Sequence, residues 1–411
     1  FKSCCKRKLY YSAQSQNDFV SNQLAQFESR FECGNLQSAY RVKTCQTSKT
    51  ASRAQLSRPK AVSQNFLKVQ APEQTFKDHE SCYVCLMQTD TSSSRQAQWF
   101  CFLFRPLVSS RHTFLLPNFV KEYSSYASGM RVAVYDGAGY RWDGLQVRYF
   151  KNSAFLDPND VYFNNKSLHF QLDLEKGRVY QISMALPYSY SKLKLLLQNA
   201  QLGPRASVVC QTAMKLSLYQ VSFVLSQDNP FVFVLGRVHP GECQSSYVVE
   251  GVLNFLARES EQRTRLLRRF NVVVLPMLNP DGVFLGNYRG DSLGQDLNRY
   301  SAQQSQTQKA LLELLGEHRL FSVLDLHGHF GKTGFHGNCV QQSGFLGYLS
   351  QKLGYFQIQD CEVGFQQQKA GTGRTFWEQR FRLERCFVFE FSFFKLDVEV
   401  GFESLKEAGS S

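Results

Sequence analysis

Phe231-Val232-Phe233-Val234-Leu235-Gly236-Arg237-Val238-His239-Pro240-Gly241-Glu242 is the stretch on which the reading turns. Five successive apolar residues make a strand buried on both faces, as in the centre of a parallel sheet. The strand then runs into a turn tightened by Pro and Gly, carrying a His and a Glu three residues apart. Working outward, Val248, Val249, Val252, Leu253 and Leu256 give helical spacing over 245–257. Val272–Leu275 is the next strand, 308–315 a helix, 320–326 a strand and 386–393 the last strong strand. Strands alternating with helices indicate an α/β domain around a mixed, largely parallel sheet, beginning near residue 188.

Upstream the period changes to two. Leu168, Phe170, Leu172 and Leu174 alternate with His169, Gln171 and Asp173, and Trp99, Phe100, Phe102 and Phe104 mark another buried strand. Turn clusters at 136–139 and 157–160 separate such runs. Residues 61–187 are therefore expected to hold an antiparallel β-sandwich. Residues 1–60, rich in Ser and Gln, are expected to be a disordered arm.

The 411 residues carry a net charge of +13, are 43% hydrophobic and 20% charged, which excludes global disorder and suits two domains. The arm holds eleven basic and three acidic side chains, so +8 of the net charge sits there. Such a field attracts polyanions, whether nucleic acid, anionic lipid or acidic protein tails. No apolar run reaches the ~18 residues of a membrane span, and the first 30 residues lack the apolar core of a secretion signal. The twelve cysteines form no disulfide framework. Cys82 and Cys85 are a lone C-x-x-C without the second pair a zinc site needs.

Ligands of open α/β sheets sit at the carboxyl ends of strands. His239 and Glu242 lie at one such end, and a second strand ends in Asp325-Leu326-His327-Gly328-His329. Two His and a Glu are the ligand set of a catalytic zinc site with an open fourth position; His327 is preferred over His329, although spacing alone leaves both open. Between them lie Pro276 to Val283, with turn-forming Asn279-Pro280-Asp281-Gly282, then Gly286-Asn287-Tyr288-Arg289 and Asp296-Leu297-Asn298-Arg299. Arginines in such loops suit a carboxylate held by paired hydrogen bonds, or an oxyanion.

Together with Gly371-Thr372-Gly373-Arg374, Trp99–Phe102 and Pro187–Ser191, these motifs resemble the cytosolic carboxypeptidase family of the zinc carboxypeptidase A superfamily, over roughly residues 95–395. The resemblance implies a β-sandwich followed by a catalytic α/β domain over 188–411. It implies one zinc per chain held by His239, Glu242 and His327. Arg289 would polarise the scissile carbonyl, Asn298 and Arg299 would grip the terminal carboxylate, and Glu390 would act as general base and acid. Arg374 would read an acidic side chain. A Glu between Phe389 and Phe391 is also expected to sit in apolar surroundings that raise its pKa. His336 stands where the family has Tyr.

The implied reaction is removal of glutamate from acidic protein tails such as polyglutamylated tubulin, in the cytoplasm or near cytoskeleton and cilia, with no need of nucleic acid or membrane. Tyr288–Ser292 and Tyr300 are similar to the branch-point type of the family, paralogue five. Two alternatives are a deacylase of small N-acyl amino acids and a catalytically dead tubulin-binding scaffold.

Overall fold

A computed structural model describes residues 7–12, 25–42, 81–91, 96–154, 156, 158–339, 344–364, 369 and 371–394. The chain divides into two compact units. One runs to Gln88 and includes Arg95–Met184; the other contains Thr89–Ser94 and the chain from Ala185.

The first unit contains β1 (Arg7–Ser12), β2 (Ala25–Glu28), β3 (Ser38–Val42), β4 (Ser81–Leu86), β5 (Cys101–Pro106), β6 (Ser110–Phe119), β7 (Val132–Tyr135), β8 (Tyr140–Asp143), β9 (Leu145–Lys151), β10 (Lys166–Leu174) and β11 (Tyr180–Ser183). They form a six-stranded sheet, β1-β3-β4-β6-β10-β9, and a five-stranded one, β2-β5-β11-β7-β8. Period-two side chains from both sheets meet in an aromatic core. Phe104 of β5 lies edge-on to Phe114 of β6 at 5.1 Å and to Tyr83 of β4 at 5.4 Å. All sheet pairings in this unit are antiparallel except β4 with β6, which runs parallel because the intervening β5 crosses to the other sheet.

The expectation of a disordered arm over 1–60 is corrected where that stretch is described. β1, β2 and β3 are paired strands, and Ala25, Phe27, Leu36 and Ala39 are fully buried. Their polar neighbours masked a short alternating pattern; Phe27 packs on Tyr83 at 5.3 Å. The remainder of 1–60, and Asp157 of the expected 157–160 turn, lie outside the described residues.

The second unit contains β12 (Ala206–Gln211), β13 (Ser217–Phe223), β14 (Phe231–Gly236), β15 (Asn271–Leu275), β16 (Leu320–Gly328), β17 (Phe335–Cys339) and β18 (Cys386–Phe391), in the order β12-β13-β15-β14-β16-β18-β17. The central pairs β15·β14, β14·β16 and β16·β18 are parallel, and the outer pairs are antiparallel. Helices α1 (Tyr190–Leu197), α2 (Cys243–Ala257), α3 (Glu261–Leu267), α4 (Pro280–Leu285), α5 (Gln306–Gly316), α6 (Gly344–Lys352) and α7 (Gly373–Phe381) accompany the sheet. Phe233, Leu235, Val273, Leu275 and Val323 cluster with Leu311 and Leu315 of α5 and Trp377 of α7. α2 packs closely enough that a Cβ on Gly236 would meet Val249 Cγ2 at 2.6 Å. Parallel strands ending at one edge deliver the β14 turn, the loop after β15, and the ends of β16 and β18 to a common place. Among the described residues no helix is long and apolar enough to cross a membrane.

Candidate metal centre

β14 ends at Gly236, and the chain turns through Arg237, which takes a left-handed backbone at φ 56°. That strain is held by its own side chain. Arg237, 2% exposed, donates Nε to the Pro240 carbonyl and Nη1 to the Tyr188 carbonyl and Ser246 Oγ. The turn also needs Gly241: its N–H bonds to the Tyr288 carbonyl at 2.9 Å, and a Cβ there would meet the Tyr288 ring at 2.5 Å. The result aims His239 and Glu242 at one point.

His239, Glu242 and His327 are buried, and one ligand atom of each lies within 4.8 Å of the others. His239 Nδ1 is 2.8 Å from Glu242 Oε1, and His327 Nδ1 is 2.9 Å from Glu242 Oε2. The opposite ring nitrogens face carboxylates. His327 Nε2 is 2.9 Å from Asp325 Oδ2, and His239 Nε2 is 3.2 Å from Asp296 Oδ1. A carboxylate behind each imidazole fixes the ring and leaves Nδ1 for a cation. Two imidazoles and a carboxylate around a buried point fit zinc. His327, rather than His329, joins the group; His329 instead uses its backbone N–H and carbonyl to hold Phe391 and Gln244.

The charges agree with this. Burial pushes Glu242 up, but His239 and His327 outweigh it and hold the carboxyl well below its ordinary value. Burial pulls His327 down, yet Asp325 and Glu242 keep the imidazole well above its usual range. Asp296 is likewise lowered against its burial, by His239 and then Arg289.

Arg289 lies beside the group. Its Nε donates to Asp296 Oδ2 at 2.8 Å, so one carboxylate orients both His239 and Arg289. Burial lowers the guanidinium, and Asp296 and then Glu242 more than restore it. Asn298 accepts from the Gly373 N–H at 2.8 Å, joining its loop to the start of α7. Arg299 is exposed and donates Nη1 to the Asn298 carbonyl. Gln308 braces this loop from behind: it completes the capping box of α5 with Ser305 while its Nε2 donates to the carbonyls of Leu297 and Arg299.

Glu390 faces His327 across β16·β18 and His336 across β17·β18 in register. It is partly exposed, which corrects the expectation of an apolar cage. On a strand, Phe389 and Phe391 point to the opposite face. Phe389 stacks with Phe387 and Phe391 with Phe335. His336 is buried, and burial lowers its imidazole to about 4.

Arg374, the second residue of α7, is 3% exposed, and among the described residues its Nη1 has no hydrogen-bond partner. Burial lowers its pKa, with Glu362 the leading opposing charge.

Asp296 and Asp325 lie within the sequence motifs, where residue type and spacing alone assign them no role. The signal for Asp325 is its place two residues before His327 on one strand, which puts both side chains on one face. Cys82 and Cys85 lie buried in β4, and neither joins a metal-ligand group among the described residues.

The family model for zinc carboxypeptidases (Peptidase_M14) matches residues 209–328. Cytosolic carboxypeptidase 2 of Danio rerio is 27% identical over 388 residues, covering 85% of this chain and 48% of that protein. Cytosolic carboxypeptidase 6 of Caenorhabditis elegans is 26% identical over 356 residues, covering 77% of this chain and 76% of its own length. The chain thus spans about half the length of the zebrafish relative. A metallo-carboxypeptidase from Burkholderia cenocepacia has the same fold, with a TM-score of 0.64 at 17% identity over 90% of each chain. The matched segment contains the β14 turn, the Arg289 loop and the end of β16, so the residues of the metal centre lie where the chain matches the zinc carboxypeptidase model, and over most of its length the chain is similar to cytosolic carboxypeptidases.

Proposed function

We propose that the protein is a zinc-dependent carboxypeptidase that removes glutamate from acidic protein C-termini. The observation that carries this is the convergence of His239, Glu242 and His327, each imidazole backed by a carboxylate. Zinc, when bound there, supplies a Lewis acid that makes water nucleophilic at neutral pH. The chain's own groups do the rest. Glu390 takes the proton from the attacking water and delivers it to the departing amine. Arg289 donates to the scissile carbonyl oxygen as negative charge develops on it. Asn298 and Arg299 hold the α-carboxylate of the terminal residue.

Arg374 selects the side chain. Every peptide end has an α-carboxylate, so preference for Glu requires a second cation. A buried guanidinium whose Nη1 has no hydrogen-bond partner among the described residues gains most from an anionic partner. Polyglutamylated tubulin tails are substrates of this chemistry, and the net charge of +13 favours encounter with them. The names of the relatives, cytosolic carboxypeptidases, support a cytosolic setting. An intact donor set argues against a dead scaffold, and the Asn298–Arg299 loop favours a peptide end over a small acyl amino acid. Including a γ-linked glutamate substrate separates branch-point from chain-shortening activity.

The test is kcat/KM on matched peptides differing in the last residue. A charge-assisted hydrogen bond contributes ~1.5–3 kcal/mol, so Arg374→Ala should cost Glu-ended peptides about tenfold to a hundredfold and leave Leu-ended ones little changed. Equal losses on both would make Arg374 structural and give side-chain selection to another residue.

A further inference from the structure

The Arg289 loop is neither helix nor strand, so its backbone N–H groups have no ladder to satisfy them. A carboxylate from far upstream takes three in a row. Asp90 Oδ1 accepts from Tyr288 N–H at 2.7 Å, and Oδ2 accepts from Arg289 and Gly290 N–H, each at 2.7 Å. Asp90 is 7% exposed and 199 residues before Arg289 in the chain. Its segment, Thr89–Ser94, belongs to the second unit although strands of the first unit flank it in sequence.

The other side of the loop is fixed as well. The Tyr288 carbonyl accepts from Gly241 of the His239–Glu242 turn, and Asn287 Nδ2 donates to the Gly290 and Asp291 carbonyls. The Arg289 side chain is held by Asp296. Asp90 therefore anchors the backbone from which the guanidinium extends, and Asp296 anchors its tip. Three short bonds to an ionised acceptor are a strong clamp, and it acts on the residue whose reach decides whether the carbonyl oxygen is met.

We propose that Asp90 is a positioning residue for the reaction, holding the 288–290 backbone so that Arg289 meets the charge developing on the scissile carbonyl oxygen. This rests on the role given to Arg289 above. The demand arises in the transition state, so the signature is a loss in kcat with KM nearly kept. Asn at position 90 presents one acceptor and one donor where three donors converge, so it releases at least one N–H.

The experiment compares Asp90→Asn in the full chain in two backgrounds, with and without Arg289→Ala, reading kcat, KM, zinc content and thermal midpoint. With Arg289 present, kcat should fall about tenfold to a hundredfold, the scale of a 1 Å misplacement, with KM within about threefold and zinc retained. With Arg289 already removed, Asp90→Asn should change the residual rate by less than about twofold, because the two act as one unit. An equal further loss in both backgrounds, or an unchanged kcat beside an impaired Arg289→Ala, overturns the proposal. Full activity in Arg289→Ala itself overturns the reading of Arg289 instead. Should Asp90→Asn not fold, Asp90→Glu takes its place; if neither variant keeps zinc and a cooperative transition, Asp90 is a folding residue and the proposal is wrong.

Discussion

Glu390→Gln is expected to abolish nearly all turnover while leaving metal and fold in place. Gln has the shape of Glu and keeps an acceptor oxygen, but it takes no proton from water at neutral pH. General acid–base groups contribute about 10²–10⁴ in rate, so kcat should fall by roughly a thousandfold or more. The position explains why little else should change. Glu390 is partly exposed near the end of a central strand, with His327 on one side and His336 on the other. The apolar packing of that strand is made by Phe387 and Phe389 on its other face. Zinc content, KM and thermal midpoint should stay close to the parent protein. A variant with wild-type kcat would place the base elsewhere.

His327→Ala is expected to remove the metal and weaken the fold together. The imidazole bridges two buried carboxylates, Glu242 at 2.9 Å and Asp325 at 2.9 Å. Alanine deletes one of the three proposed zinc ligands and leaves Asp325, 1% exposed, beside an apolar core without its imidazole partner. Losing an outer partner of a ligand typically costs ten- to hundredfold in metal affinity; losing the ligand itself should cost well over about a hundredfold. Breaking a buried charged pair from one side costs about 3–5 kcal/mol, which should appear as a lower thermal midpoint. Elemental analysis after dialysis should find far less than one zinc per chain. Full, tight occupancy in this variant would shift the ligand role to His329.

What the sequence made legible follows from how locally each feature is encoded. The five apolar residues of β14 and the turn behind them lie in one dozen residues, so strand, strand end and two members of the buried His-Glu-His group could be read together. His327 was legible for the same reason, at the end of β16. Choosing it over His329 needed the backbone, since only the fold puts one imidazole against Glu242 and turns the other away. Glu390 was proposed from the resemblance; its expected apolar surroundings are absent because sequence neighbours on a strand face opposite sides. β2 and β3 were missed because their pattern is short and set among polar residues; tertiary pairing, rather than local preference, makes them strands. Asp90 could not be found at all: its partners are backbone N–H groups some 200 residues away, which carry no sequence signature.

The most direct test of the account is release of free glutamate by the purified full chain from a peptide ending in several glutamates. The protein is assayed as isolated, after its zinc has been stripped by a chelator, and after zinc is returned. Stepwise loss of single residues from the C-terminus is expected, abolished by stripping and restored by zinc. Zinc-loaded, folded protein that releases no glutamate from this peptide or its γ-linked counterpart, or that cuts only at internal bonds, would contradict it.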